Sequence, residues 1–308
     1  MDKLPSAIMG GDTFTDVFRG LYDLNMYWRL TDPDYCISVM RSAYHAGCRA
    51  FDFSFANVRE MFSKLQESVE EEIAGVANPT WLQGCKLDSR PLQYLRSRVL
   101  KTYTEIPGYV SPEIAAMVRD ELRTKNCMVF GYDPEEQPLS EKEISSIYLD
   151  EDAYIGRLEE LRGSQYVLIG GTDADWLFTL RRQDLIARMA EIVRSRGQIP
   201  LLICHYASLV LPRADAMNLD VEAYFAPINQ SWAWFDLESA KKAVRNAAKP
   251  VVAFMAFACG GLSGGMREAA EYLRDDCNVK GILFGTTKAK NAYNTTKMLG
   301  EVFRESVC

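Results

Sequence analysis

Asp52 and Lys86 stand near the ends of two short apolar runs, Arg49 to Phe55 and Trp81 to Leu87. A lysine beside a carboxylate in a dry cleft forms an ion pair that tunes a neighbouring proton donor, or simply holds the structure together. His205 is one of two histidines and ends the run Pro200 to His205, with Tyr206 next. Imidazole suits general acid–base work because it changes charge near neutral pH; the alternative is a ring satisfied by a backbone carbonyl. The other histidine, His45, sits inside a helical pattern, so a multi-histidine metal site is excluded and no metal is expected. Asp173 and Asp175, in GTDADW, read either as paired carboxylates for glycoside cleavage or as a solvated turn. Trp232, Trp234 and Phe235 either wall a pocket or cover a loop.

Glycine supplies a second kind of chemistry. Gly260, Gly261 and Ser263 lie in ACGGLSGG (258–265), and Gly285, Thr286, Thr287 and Lys288 follow another apolar run; each segment opens a helix. Backbone N–H groups at such a place bind phosphate well, so a phosphorylated substrate or a cofactor pyrophosphate is expected there. Otherwise the glycines turn tight loops, with Thr286 or Thr287 capping the helix.

These residues need elements to hold them. Eight β-rich runs are expected: Ala7 to Gly10, Arg49 to Phe55, Trp81 to Leu87, Tyr166 to Gly170, Pro200 to His205, Ala223 to Ile228, Pro250 to Ala258 and Lys280 to Gly285. Helical periods fall near 33–47, 58–77, 112–125, 181–196, 236–248, 266–275 and 288–304, with shorter stretches near 150–162 and 208–218. Asp32-Pro33 is an N-cap followed by proline in the first turn, and Gly47 is a C-terminal stop. Alternating strands and helices imply parallel pairing and an α/β (β/α)8 TIM barrel, one domain over 1–308, with an insertion between strands 3 and 4 at about 89–164. An open doubly wound sheet is the rival, weakened because no GxGxxG follows the first strand.

Composition bounds the partners. The 308 residues are 48% hydrophobic and carry 35 Lys plus Arg against 42 Asp plus Glu, a net charge of −7, which disfavours nucleic acid and anionic membranes. No apolar run approaches the roughly 20 residues of a membrane helix, and no leader pattern opens the sequence, so a cytoplasmic protein acting on a small molecule is expected. Eight cysteines, scattered singly, read as reduced, buried thiols.

The order of these residues resembles the aldo-keto reductase superfamily. AGCRAFDFSFANV (46–58) is similar to that family's strand-two stretch, and GCKL (84–87) to its strand-three lysine segment. ICHYASLVLPRADAMNLDVEAYFAPIN (203–229) resembles members with His after strand five and Asn after strand six; VVAFMAFACGGL (251–262) and VKGILFGTTKAKNAYNTT (279–296) resemble the last two strands, which grip the cofactor phosphates. The resemblance implies NADP or NAD held by Asn229 and the two glycine segments, with Asp52 and Lys86 on two places of the catalytic Asp, Tyr, Lys and His. The tyrosine place is Asn57, the histidine place is Gly170, and a basic residue expected near Asn291 is replaced by Lys288 or Lys290. An Asn cannot deliver a proton to a forming alkoxide as a phenol can.

The expectation is therefore a barrel oxidoreductase for a small carbonyl or alcohol, its acid relocated to Tyr206, His205 or the insertion. One alternative is a lyase or isomerase using Lys86 as a Schiff-base or electrostatic group and His205 as proton shuttle. Another is a non-catalytic ligand-binding relative. The oligomeric state is not legible.

Overall fold

A computed structural model describes residues 4–15, 22–79, 84–105, 116, 135–234 and 236–303. Eight parallel strands close a barrel: β1 (Ala7–Met9), β2 (Ala50–Asp52), β3 (Ala74–Ala77), β7 (Tyr166–Gly170), β8 (Ile199–Ile203), β9 (Tyr224–Pro227), β10 (Val251–Phe254) and β11 (Gly281–Phe284), with β11 returning to β1. The numbers between belong to a separate antiparallel sheet, β4 (Cys85–Leu87), β5 (Arg90–Pro91) and β6 (Tyr148–Leu149), in the order β5-β4-β6.

The period of two sorts the barrel side chains into two layers. Tyr166 and Leu168, Phe225, and Val252 and Phe254 fill the interior, while Val167, Ile169, Tyr224 and Ala253 face the surrounding helices. Full burial of such a side chain stabilises by about 1.5–3 kcal/mol, so both layers hold the ring closed. Among the described residues the helices are α1 (Leu24–Leu30), α2 (Pro33–His45), α3 (Ala56–Glu67), α4 (Arg96–Glu105), α5 (Glu141–Ser145), α6 (Glu151–Glu160), α7 (Thr172–Thr179), α8 (Gln183–Ser195), α9 (Ala207–Ala216), α10 (Leu237–Asn246), α11 (Met266–Asp275) and α12 (Ala289–Val302). The Asp32 carboxylate caps α2 by accepting from Asp34 N–H, with Pro33 in the first turn, as its sequence demands. At α12 the cap residue is Lys288, not Thr286 or Thr287, and Thr286 Oγ1 accepts from Lys288 N–H at 3.4 Å.

One strand departs from expectation. The third barrel strand is Ala74–Ala77, and of the expected run Trp81 to Leu87 the described part, from Gly84 on, does not join the ring. AGVA has weak strand propensity and runs on from a helical period, so its residues read as the end of the helix expected over 58–77, which stops at Glu67. The small residues have a packing cause: a Cβ on Gly75 would lie 1.9 Å from the Phe53 ring. The helix expected over 112–125 lies outside the described residues except at position 116. All six described cysteines are free thiols, and every one but Cys259 is buried. Among the described residues no helix is long and apolar enough to cross a membrane.

Candidate active site at the barrel mouth

The C-terminal ends of the barrel strands surround a cavity of about 390 Å³. Leu168, Ile203, Phe254 and Leu283 make its apolar floor, and Asp12, Asp52, Ser54, Arg157, Thr172 and His205 are among its polar walls. That volume lies toward the small end of the roughly 300–1,000 Å³ usual for ligand sites.

His205 enters this cavity one residue beyond Cys204, which follows β8. Opposite the backbone of β8, the chain leaves β7 through Gly170 (φ 100°) and Gly171 (φ 64°) and begins α7 at once. A Cβ on Gly170 would meet Ala174 Cβ at 2.5 Å, so glycine permits this abrupt turn into the helix. The turn buries Asp175 at 1% exposure. Its Oδ1 accepts the backbone N–H groups of His205 and Tyr206, both at 2.8 Å, and its Oδ2 lies 2.9 Å from His205 Nδ1. Because a carboxylate accepts there, Nδ1 carries the proton and Nε2 is the basic nitrogen left for the cavity. Trp234 and Phe254 pack edge-on against the imidazole at 5.2 and 5.9 Å, and Trp232 packs edge-on against Trp234 at 5.1 Å. The tryptophans thus support the histidine from behind; Phe235 lies outside the described residues.

Across the mouth, the Asp52 carboxylate accepts from Gly11 N–H, Ser54 N–H at 3.0 Å and Ser54 Oγ–H at 2.5 Å. These donors favour its charged form, but burial outweighs them and the pair of acids is raised. Asp12 presents surface to the open mouth while protein crowds its other sides. That desolvation, and then the Asp52 carboxyl beside it, pushes Asp12 up to about 7. With the donors concentrated on Asp52, the proton that the pair retains near neutral pH resides on Asp12. The Asp52 wall is braced further because Asn78 N–H donates to Ser54 Oγ at 2.8 Å.

Of the four residues expected to do chemistry, Asp52 and His205 reach the cavity and two do not. Lys86 is on β4, bonded to β5 and β6, and its Nζ pairs with Asp150 at 2.5 Å. Its sheet is outside the barrel, so the Asp52–Lys86 pair does not exist and Lys86 cannot serve the site. We therefore expect Lys86→Met to leave turnover within a factor of about two, because an ion pair at the surface contributes little beyond its own neighbourhood; a loss of activity per folded molecule would return Lys86 to the mechanism. Tyr206 is buried beside Tyr103 of α4, behind Asp175, rather than among the residues that line the cavity. It gives the site its N–H, not its phenol.

The two-carboxylate idea fails for a related reason. Asp173 and Asp175 lie in a buried helix rather than a solvated turn, and neither lines the cavity. Asp173 Oδ2 accepts from Cys85 N–H at 2.9 Å, so it fastens the small sheet to α7. Burial, with Asp175 adding to it, raises Asp173 to about 7. The approach is close enough that a Cβ on Gly84 would sit 1.7 Å from that oxygen.

In the first of the two loops expected to hold a dinucleotide, 258–265, the backbone donors turn inward. The backbone N–H groups of Gly260, Gly261, Ser263 and Gly265 donate inward to Phe257, Ala258, Gly260 and Leu262 carbonyls at 3.0, 3.0, 3.1 and 3.0 Å. A pyrophosphate would find these donors already engaged. Asn229 is fully buried, its Oδ1 accepting from Ser231 and Trp232 N–H at 2.8 and 3.0 Å and its Nδ2 donating to the Met255 carbonyl at 3.2 Å. It closes a loop and has no carboxamide to offer a nicotinamide. Lys288 N–H is held by Thr286, and the Thr287 carbonyl accepts from Tyr35 Oη–H at 2.9 Å. Of the expected cofactor set only Gly285 lines the cavity. Asn57, at the place of the family tyrosine, donates to the Phe14 carbonyl at 3.0 Å and ties down the segment after β1.

Three participants escaped sequence reasoning. Asp12 was visible as a polar residue after β1, but nothing marked it as paired with Asp52 before the strands were neighbours in space. Asp175 was visible as an acid without its histidine. Arg157, on α6, donates to the Ser54 carbonyl at 2.7 Å and pairs with Glu160, bringing a cation to the cavity from a segment that reads as an ordinary surface helix. Among the described residues no three His, Cys, Asp or Glu side chains are grouped to hold a metal ion.

The fold has known counterparts. Two solved structures provisionally assigned as an aldo-keto reductase from Pseudomonas aeruginosa match with TM-scores of 0.56 and 0.55, each at 12% identity over 97% of this chain and 90% and 91% of theirs. The chain thus has an aldo-keto-reductase-like barrel at low sequence identity, a likeness of fold. No protein-family model and no curated protein sequence matches it.

Proposed function

We propose that the barrel mouth is the active site of an enzyme that moves protons on a small carbonyl or hydroxyl compound, an isomerase or lyase rather than a hydride-transfer enzyme. The observation that carries this reading is the Asp175–His205 pair, whose imidazole lines the same cavity as the Asp12 and Asp52 carboxyls. Asp175 holds the imidazole in one tautomer and orientation, which is what a general base requires. The carboxyl pair is a second station, loaded with a proton near neutral pH. Arg157 supplies positive charge where a substrate oxygen gathers negative charge. With Lys86 remote, no Schiff base is part of this scheme.

A second reading keeps NADP or NAD and carbonyl reduction, with His205 as the relocated acid. It is favoured by the shared fold and by Asp52, which stands at the end of β2 where the sequence resemblance puts a catalytic aspartate. The two are separated by titrating the protein with NADPH and with NADH while following tryptophan emission and nicotinamide fluorescence. We expect neither signal to change at cofactor concentrations up to the millimolar range, because the amides of Gly260, Gly261, Ser263 and Gly265 are engaged. Saturable quenching would restore the oxidoreductase.

A further inference from the structure

We infer that the site inverts the configuration of a carbon next to a carbonyl group, taking a proton from one face of a small α-hydroxycarbonyl compound and returning one to the other. This rests on the acid–base reading above and specifies its reaction. The ring order carries the argument. From β1 to β8 there are four steps through β11, β10 and β9, and four through β2, β3 and β7. The segment after β1, with Asp12, and the segment after β8, with His205, therefore stand at opposite points of the mouth, and both residues line the one cavity. A single base returns a proton to the face it took it from; two stations on opposite walls deliver it to the other.

The chemistry balances without an oxidant or reductant. His205 Nε2 takes the α-proton, the C–H pair becomes the carbon–carbon π bond of an enolate, and the carbonyl π pair moves to oxygen, where Arg157 offsets the charge. The enolate collapses as Asp12 gives its proton to the same carbon from the opposite wall, leaving imidazolium and carboxylate. Asp12 is exposed at the mouth and the solvent there resets both groups. For the other epimer the same stations work in reverse, the Asp12 carboxylate abstracting and the imidazolium donating.

The walls select the substrate class. A carboxylate placed beside Asp12 and Asp52 meets like charge, whereas hydroxyl groups donate to those oxygens. The apolar floor of Leu168, Ile203, Phe254 and Leu283 gives an ionic group nothing to pair with, and Arg157 in the wall is already paired with Glu160, which leaves it only N–H donors for a developing oxyanion. A neutral compound of a few carbons, with a hydroxyl on the reacting carbon, satisfies both.

The test incubates the protein in D₂O with each enantiomer of glyceraldehyde, acetoin and erythrulose, following the α-proton by NMR and the configuration by polarimetry. We expect deuterium to enter the α-position as optical rotation is lost. His205→Gln and Asp12→Asn should each slow racemisation at least 100-fold, each variant retaining exchange on only one enantiomer, the opposite one in the two cases. Exchange with full retention of configuration in the wild-type protein overturns the two-face proposal and leaves the acid–base reading standing. Exchange on none of the six probes overturns both.

Discussion

His205→Gln is expected to lower α-proton exchange on the preferred enantiomer by about 100- to 10,000-fold, the range usual for loss of a positioned general base. Asp175→Asn should come close to the same loss although Asp175 does not line the cavity. An asparagine oxygen in the place of Oδ1 still accepts both backbone N–H groups, which turns the amide nitrogen toward the imidazole, where it can act only as a donor. The ring must then carry its proton on Nε2 and lose the basic nitrogen the site depends on. Because the protein has only two histidines, ¹⁵N spectra of the wild type and of a His45 variant assign both rings. They should show His205 protonated at Nδ1 in the wild type and at Nε2 in Asp175→Asn. A neutral imidazole of the same tautomer in both proteins would reduce Asp175 to a packing group and sink the assignment. Asp175→Asn also exchanges a charged acceptor of two buried N–H groups for a neutral one, so the comparison is made per folded molecule at a temperature well below both melting points.

That two of the chosen residues meet, and that the rest do not, follows from what a linear pattern contains. Strand ends are legible because a run such as Pro200 to His205 changes from apolar to polar where the chain leaves the barrel, and this placed His205 at the mouth. Asp52 was legible for the same reason at β2. The partner of Asp52 was not, because GCKL has the apolar character of a strand while the true third strand is made of alanine, glycine and valine to clear the Phe53 ring. Displacing that one strand moved Lys86 into the barrel on paper and left Asp12 without a role. The glycine segments were legible as turns. Whether their N–H groups face a ligand or one another depends on dihedrals such as the positive φ of Ala258 and Cys259, and residue types do not announce these.

The proton retained on Asp12 predicts a pH dependence that tells the two carboxyls apart. Asp12 has a folded-state value of about 7 against an ordinary 3.8, so its ionisation is harder in the folded protein than in the unfolded chain. The penalty is absent below the unfolded value, grows as pH rises from about 4 to about 7, and is constant above that. Asp12→Asn removes it. The variant should therefore melt at the wild-type temperature near pH 4 and gain on the wild type with rising pH. By pH 8 the gain should reach a few degrees, about what 1 kcal/mol produces in a domain of this size after allowance for the solvent at the mouth. Asp52→Asn should behave differently, because the Asp52 carboxylate accepts from Gly11 N–H, Ser54 N–H and Ser54 Oγ–H, and an amide cannot accept from all three as well. It should melt below the wild type even at pH 8, where removing a charge from the pair would otherwise help. Melting curves of the three proteins from pH 4 to pH 8 decide the matter. An Asp12→Asn difference that does not change with pH would show that Asp12 ionises as a free carboxyl, and a stabilised Asp52→Asn would place the retained proton on Asp52 instead.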